Sequence, residues 1–293
     1  MAPRISVLIP HYNDLANLDR CLDSLGRQSL SPDSFEIIVA DNNSAMGLAA
    51  VRSIVGTRAR VVLASEQGAG PARNAAAAEA RAPAFAFTDS DCLPERDWLE
   101  RGLRALEHAP VVGGAVVTTA SDPDNPTPAE AFELVFAFQI QRYVEHKNFC
   151  VTANLFVTRE VFDQVGGFRN GISEDEEWGR RALSKGFKTV YEPSARVCHP
   201  ARRSWDELRR KCERLTRERY VLTREEPFGR IRWGLRNWLV LLSPVAHSFR
   251  VLGSPRLRGL RSRLGAIGVL FRSRSYRFVE AYRVLYADLR AKA

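Results

Sequence analysis

Apolar residues along the chain fall into short runs separated by stretches with helical spacing. Ile5–Ile9 is such a run, closed by Pro10, and reads as a buried parallel strand. Leu15, Leu18, Cys21, Leu22 and Leu25 then recur on one helical face, with Asp19, Arg20, Asp23 and Arg27 between them. Phe35–Ala40 and Arg60–Ala64 read as a second and a third strand. Gly68-Ala69-Gly70-Pro71 breaks the chain, and Pro71 suits the first turn of an Ala-rich helix running to Ala82. Ala84–Thr88 is a fourth strand. Strands alternating with helices over short connections predict an α/β fold, a mostly parallel sheet flanked by helices. Ligands of such sheets bind beyond the carboxyl ends of the strands. Three polar clusters stand at those ends: His11-Tyr12-Asn13, Asp41-Asn42-Asn43-Ser44 and Asp89-Ser90-Asp91.

The pattern continues with a strand at Val111–Thr119, a Pro- and Asp-rich loop at Ser121–Pro128, and one helix over Ala129–Glu145 with Phe132, Phe136 and Ile140 on a shared face. Phe149–Thr158 reads as a strand and Gly166-Gly167-Phe168 as a turn. Ser173–Ser184 reads as a capped acidic helix, and two short strands, Thr189–Tyr191 and Ala195–Cys198, lead to His199. Trp205–Thr223 is a charged helix. Past Pro227 the composition shifts to Arg, Leu, Val and aromatics, which predicts a boundary there. Residues 1–226 form one domain with halves at 1–120 and 121–226, and 227–293 form a basic amphipathic helical region.

Charge sharpens that division. The 293-residue chain has a net charge of +9. Residues 1–200 hold 20 Lys and Arg against 26 Asp and Glu, and residues 201–293 hold 23 against 8. The basic end calls for an anionic partner, a membrane surface or a nucleic acid. A nucleic-acid reader should interleave aromatics and bases on an exposed platform, whereas Trp233, Trp238 and Phe249 sit among aliphatics, which favours lipid. Between Arg236 and Arg250 lie 13 residues without a charge. As a helix they reach about 20 Å against a hydrocarbon core of about 30 Å, and Ser243-Pro244 is expected to interrupt them. Arginines flank this run and the shorter one at Leu264–Phe271, the pattern of helices lying in an anionic interface; a helical cap or an oligomer contact is the alternative. Five widely spaced cysteines without a C-x-x-C pair suggest neither a zinc site nor a disulfide framework. The N-terminus has no secretory pattern, so the expected location is the cytoplasm, peripheral on the membrane's cytoplasmic face.

Asp89-Ser90-Asp91 is the sharpest chemical signal. Two carboxylates one residue apart after an apolar strand can reach one divalent cation, which suits the diphosphate of a nucleotide leaving group. An acidic loop capping a helix is the plainer alternative. Asp41 fits either a carboxylate accepting the N–H of a uracil-like base or an Asx turn. Gly68-Ala69-Gly70-Pro71-Ala72-Arg73 resembles part of a dinucleotide fingerprint, but Arg73 stands at the third glycine. It reads instead as a loop entering a helix, with Arg73 either directed at phosphate or base or simply solvated. Glu174-Asp175-Glu176-Glu177 puts four carboxylates on a first helical turn, favourable for the helix dipole and a source of a general base for a sugar hydroxyl. Glu174 and Trp178 are expected on the acceptor side, Trp178 stacked on a sugar face. His199 is either structural or a third metal ligand beside Asp91.

The order of these motifs, Val7-Leu8-Ile9-Pro10-His11-Tyr12-Asn13, Asp41-Asn42-Asn43-Ser44, Gly70-Pro71-Ala72-Arg73-Asn74, Asp89-Ser90-Asp91, Gly166-Gly167-Phe168 and Glu174-Asp175, resembles the family 2 glycosyltransferases of the GT-A fold over about residues 5–225. The resemblance implies a nucleotide-sugar donor, UDP-linked by preference, with Pro10, Tyr12, Asp41 and Arg73 at the nucleotide. It implies Asp89 and Asp91 at the sugar diphosphate and Mn²⁺ or Mg²⁺, and Asp175 as the base of a single inverting displacement. The Q-x-x-R-W motif of processive members is absent, so one sugar is added per encounter. A saccharide or lipid-linked acceptor is expected. A sugar nucleotidyltransferase, the rival enzyme, wants a Gly-rich basic loop after the first strand, where His11-Tyr12-Asn13-Asp14 stands instead.

Overall fold

The structure is a computed structural model and describes residues 2–291. Its strands are β1 (Ile5–His11), β2 (Phe35–Asp41), β3 (Arg60–Leu63), β4 (Ala84–Phe87), β5 (Leu93–Pro94), β6 (Val111–Thr119), β7 (Leu155–Thr158) and β8 (Thr189–Pro200). Its helices are α1 (Leu15–Leu25), α2 (Leu48–Val55), α3 (Ala69–Glu79), α4 (Trp98–Leu106), α5 (Pro128–Phe136), α6 (Ile140–Lys147), α7 (Arg159–Val165), α8 (Glu174–Ser184), α9 (Trp205–Arg224), α10 (Gly229–Leu252) and α11 (Gly259–Arg290). The chain divides into two compact units. One comprises the residues up to Val117, Gln139–Asn170 and Glu174–His199; the other comprises Thr118–Phe138, Gly171–Ser173 and the chain from Pro200 onward.

The first unit is built on one sheet of order β3-β2-β1-β4-β7-β6-β8-β5. β3, β2, β1 and β4 are parallel, as their βα alternation requires; β7 pairs antiparallel with β4 and with β6, and β5 antiparallel with β8. β1 and β4 are apolar because both of their faces are covered: Val7, Leu8, Ile9, Phe85, Ala86 and Phe87 have no exposed surface. Register then places the chemistry. His11 ends β1 directly opposite Asp41, which ends β2. β4 stops opposite Leu8, so the loop that carries Asp89 and Asp91 starts beside the end of β1.

The second unit is helical: α5, α9, α10 and α11. Its core includes Leu134, Val135, Val251, Leu257, Ala266 and Leu270, with Tyr220, Trp233 and Ala281 forming a second cluster. α9 packs with α10 and α11, so the unit boundary falls at His199/Pro200 rather than near Pro227. Four other expectations are corrected. The single helix over Ala129–Glu145 is two helices, parted where Phe138 takes a left-handed φ of 46°; apolar spacing runs through the break because each helix buries a face of its own. Phe149–Thr158 is a strand only from Leu155, after a short 3-10 turn, and the two strands before His199 are one. Pro244 does not interrupt α10. The Val240 carbonyl that a proline at 244 cannot serve instead accepts the Ser243 hydroxyl at 2.7 Å, and Pro244 is buried.

Asn154 holds the middle of the first unit. It is fully buried, accepts the Trp98 indole N–H at 2.8 Å, and donates to the carbonyls of Ala115 and Ala195 at 2.8 and 2.9 Å. A Cβ at Gly114 would come within 2.4 Å of it, so glycine there admits the amide. Asn154→Leu strands one donor and two acceptors. It is expected to lower unfolding stability by about 3 kcal/mol or more in urea titrations, whereas a substitution at an exposed Asn, such as Asn125→Leu, should stay within about 0.5 kcal/mol.

Candidate active site

The ends of β1 and β2 are stitched into one turn. Asp41 accepts from His11 Nδ1 at 3.1 Å and from the Ser44 amide at 3.2 Å, and His11 Nε2 accepts the Asp14 amide at 3.2 Å. With Nε2 accepting, the ring proton sits on Nδ1, facing the carboxylate. Asn13, at a left-handed φ of 54°, donates its backbone N–H to the Ser44 hydroxyl and accepts the Ala45 amide on its side-chain oxygen. His11 and Asp41 are each only 1% exposed. Asp41 thus makes the Asx-turn contact, with its carboxylate enclosed and engaged at the floor of the turn. Pro10 is partly exposed at the end of β1, and Tyr12 stands half exposed above the turn.

Beyond β4, the side chains of Asp89 and Asp91 are about one-third open. A ligand atom from each lies, together with the Cys92 sulfur, within 4.8 Å of the others. Burial pushes the Cys92 thiol well up, so it stays protonated and is a poor donor to a hard cation. Two accessible carboxylates with open positions beside them fit Mn²⁺ or Mg²⁺. β8 pairs Cys198 with Leu93, which carries the next residue, His199, to 3.4 Å from Asp91. His199 is buried beside Asp91, while the group of candidate ligand atoms that lie together is Asp89, Asp91 and Cys92.

The decisive contact joins segments far apart in sequence. Arg73, on the first turns of α3, is 4% exposed. Its Nη2 donates to Asp89 at 2.6 Å and its Nη1 to Glu174, 101 residues away. Burial alone would lower its pKa; the carboxylates of Glu174 and Asp89 override that and raise it. α3 grips the same neighbourhood through Asn74, which accepts the Phe168 amide and donates to the Phe168 carbonyl, both at 2.8 Å. Gly68 and Gly167 make this approach possible, because a Cβ at either would run into Asn170 or Asn74.

The four carboxylates of α8 divide by partner. Glu174 takes Arg73; Glu176 takes Lys147 at 3.2 Å and Arg180 at 3.0 Å; Glu177 takes Arg181 at 2.7 Å. Asp175 instead accepts the Thr152 amide at 3.1 Å. Burial, and then the neighbouring Glu174 charge, raise its pKa to about 6, against the pull of Arg73 and Thr152. Trp178 corrects an expectation. It is 2% exposed, lies against Phe162 and Phe168, and donates to the Gly166 carbonyl at 2.9 Å, so its ring is core and has no face for a sugar. The Arg73–Glu174 pair, the Asn74 clip and the Thr152 amide were missed by sequence reasoning. Asn74 and Glu174 stood inside quoted motifs, but no spacing rule links α3 to α8.

A carboxylate with a raised pKa is a cost to the folded state wherever it is ionised. Below the unfolded value near 4 both states hold the proton and the cost vanishes; it is complete above about pH 6. Asp175→Asn removes it. In thermal melts the variant is expected to gain on the parent chain as pH rises from 4 to 8; a gain that is constant with pH would contradict this reading.

Known proteins resemble the chain in sequence and in fold. The profile of Glycosyl transferase family 2 matches residues 6–166. Glycosyltransferase AglE of Haloferax volcanii is 32% identical over 208 residues, 68% of this chain and 68% of its own length. Validoxylamine A glucosyltransferase of Streptomyces hygroscopicus subsp. limoneus is 36% identical over 143 residues, which span 46% of this chain and only 31% of that protein. Among solved structures, a mannosyltransferase from Pyrobaculum calidifontis in complex with GDP-Man and Mn²⁺ superposes with a TM-score of 0.64 over 98% of this chain and 88% of its own, at 18% identity, a likeness of fold. The fold is thus of the GT-A type, and the chain belongs to glycosyl transferase family 2: it is a glycosyltransferase.

Proposed function

We propose that the chain transfers one sugar per encounter from a nucleotide-diphosphate donor to an acceptor hydroxyl, by a single inverting displacement that depends on Mn²⁺ or Mg²⁺. The observation that carries this is the charge count around Arg73: one guanidinium faces Asp89, Glu174 and Asp175, with Asp91 beside them. The site has an excess of negative charge before a diphosphate arrives, and a divalent cation offsets both. Asp91 and Asp89 would hold the ion, with His199 against Asp91; the ion supplies charge stabilisation to the departing nucleotide diphosphate. Arg73 keeps Asp89 aimed and partly neutralised. Asp175 takes the proton from the acceptor hydroxyl. It is the member of its cluster whose hydrogen-bond partner, Thr152, is neutral, and a base with a pKa of about 6 is ionised at neutral pH yet still basic enough to accept a proton. Glu174 stands on the acceptor side. Pro10, Tyr12 and the Asp41 turn border the nucleotide.

A UDP-sugar is the donor the motif resemblance favours. A GDP-sugar is the second reading, supported by the GDP-Man held in the Pyrobaculum structure and by the burial of Asp41, which removes the simplest contact to uracil.

The same proposal puts the protein at the cytoplasmic face of a membrane. No helix among the described residues is long and apolar enough to cross one. α10, however, exposes a continuous apolar face: Ile231, Leu235, Leu239, Leu242 and Phe249 are each 64% exposed or more and recur at helical spacing over about five turns. Arg232, Arg236 and Arg250 run along one flank of that face. A lipid-linked saccharide is the acceptor such docking favours.

The transfer reading is tested by released nucleotide against a panel of donors. Asp175→Asn is expected to lower kcat at least ~10²-fold with little change in donor affinity, and the acid limb near pH 6 in the parent kcat/KM profile should vanish with it. Asp91→Ala should lose the Mn²⁺ dependence of nucleotide binding. Full turnover in EDTA, or a product that retains the donor's anomeric configuration, would overturn the mechanism.

A further inference from the structure

The second unit holds more arginines than its carboxylates can pair. Buried Glu280 takes Arg217 at 3.3 Å and Arg283 at 3.2 Å. Asp288 takes Arg224 at 3.0 Å and Arg230 at 2.7 Å, and Glu213 takes Arg209 at 2.9 Å. Arg274 and Arg277 are left over. They stand one turn apart on α11, each partly enclosed. The Nε of each is buried without a hydrogen-bond partner, and neither makes an ion pair among the described residues. Burial, then the charges of Arg219 on α9, Arg274, and Arg236 on α10, push the Arg277 pKa down to about 10. An enclosed guanidinium without a carboxylate partner stabilises nothing in the protein alone. It is the arrangement that receives an anion, and a phosphoryl group offers the oxygens that a guanidinium fork matches.

The surroundings indicate which anion. Trp238, two residues past Arg236, is half exposed and packs edge-on, at 4.7 Å, against Phe278, the neighbour of Arg277. The arginine group thus borders the apolar face of α10. We propose that Arg277, with Arg219, Arg236 and Arg274, binds a phosphoryl group carried by a lipid, whose apolar chain lies toward the exposed face of α10. The assignment rests on the membrane docking proposed above and gives that docking a specific headgroup site.

The test uses the full chain in EDTA, co-sedimented with phosphatidylcholine vesicles with and without phosphatidylglycerol. A surface arginine is worth about 5-fold in binding to an anionic bilayer, so R261Q, on an exposed position of α11, is expected to cost no more than ~5-fold. R277Q should cost more than ~10-fold, the loss of a charge-assisted hydrogen-bonded contact. Its lipid-free thermal midpoint should equal or exceed that of the parent chain, because an unpaired buried charge has gone; a merely structural arginine would lower it. R274Q should repeat both results more weakly. Capture of R277Q equal to that of R261Q, or a lowered lipid-free midpoint with normal capture, would overturn the site while leaving membrane docking intact. A parent chain that ignores phosphatidylglycerol would remove both. Inorganic phosphate raising the midpoint as far as the vesicles do would overturn the lipid assignment.

Discussion

The buried guanidinium of Arg73 is the constraint on which the site depends. It sits at the start of α3, where Gly68 and Gly70 let the chain turn close to its neighbours, and it cannot remain there unpaired without a cost of several kcal/mol. Its two partners come from opposite parts of the first unit: Asp89 from the end of β4, and Glu174 from the start of α8. One planar fork therefore sets the separation between the carboxylates suited to a cation and the helix that carries the proposed base. Asn74, one residue on, fixes the turn that leads toward that helix.

The other acidic groups follow from this arrangement. Glu176 and Glu177 are neutralised by Lys147, Arg180 and Arg181, which leaves Asp175 beside Glu174 with the Thr152 amide as its hydrogen-bond partner. Its raised pKa comes from the same crowding that holds Glu174 on Arg73. The stability forgone at Asp175 is the counterpart of the reactivity proposed for it, a trade expected where strain and function coincide. In the second unit a different imbalance, of arginine rather than carboxylate, marks the end of the molecule for which an anionic lipid surface is proposed.

Much of the fold was legible because the parallel strands are buried on both faces and their apolar runs end in polar clusters. Ile5–Ile9, Phe35–Ala40 and Ala84–Thr88 each lie within a residue or two of the observed strands, and Val111–Thr119 coincides with one. What escaped was set by single residues or by distance. The left-handed Phe138 splits a helix that periodicity alone joins, and the Ser243 hydroxyl lets α10 run through Pro244. At the site, the Asp-x-Asp spacing and its position after β4 brought out the two carboxylates that the structure groups as a candidate cation site. The burial of Trp178 and Asp41 was invisible, since an aromatic or an acid beside a loop reads the same whether it faces a ligand or the core. Arg73 illustrates the limit most clearly: its position on a helix start was readable, but its partner 101 residues away was not.

The central claim is that Arg73 and Glu174 act as one unit in organising transfer. A double-mutant cycle of Arg73→Gln and Glu174→Gln, read as kcat/KM for released nucleotide, tests it most directly. The account predicts strong non-additivity, with the double variant scarcely worse than Arg73→Gln alone, because the first substitution already frees what the second removes. Losses that simply add would show that the two residues serve the reaction independently and would contradict the clamp.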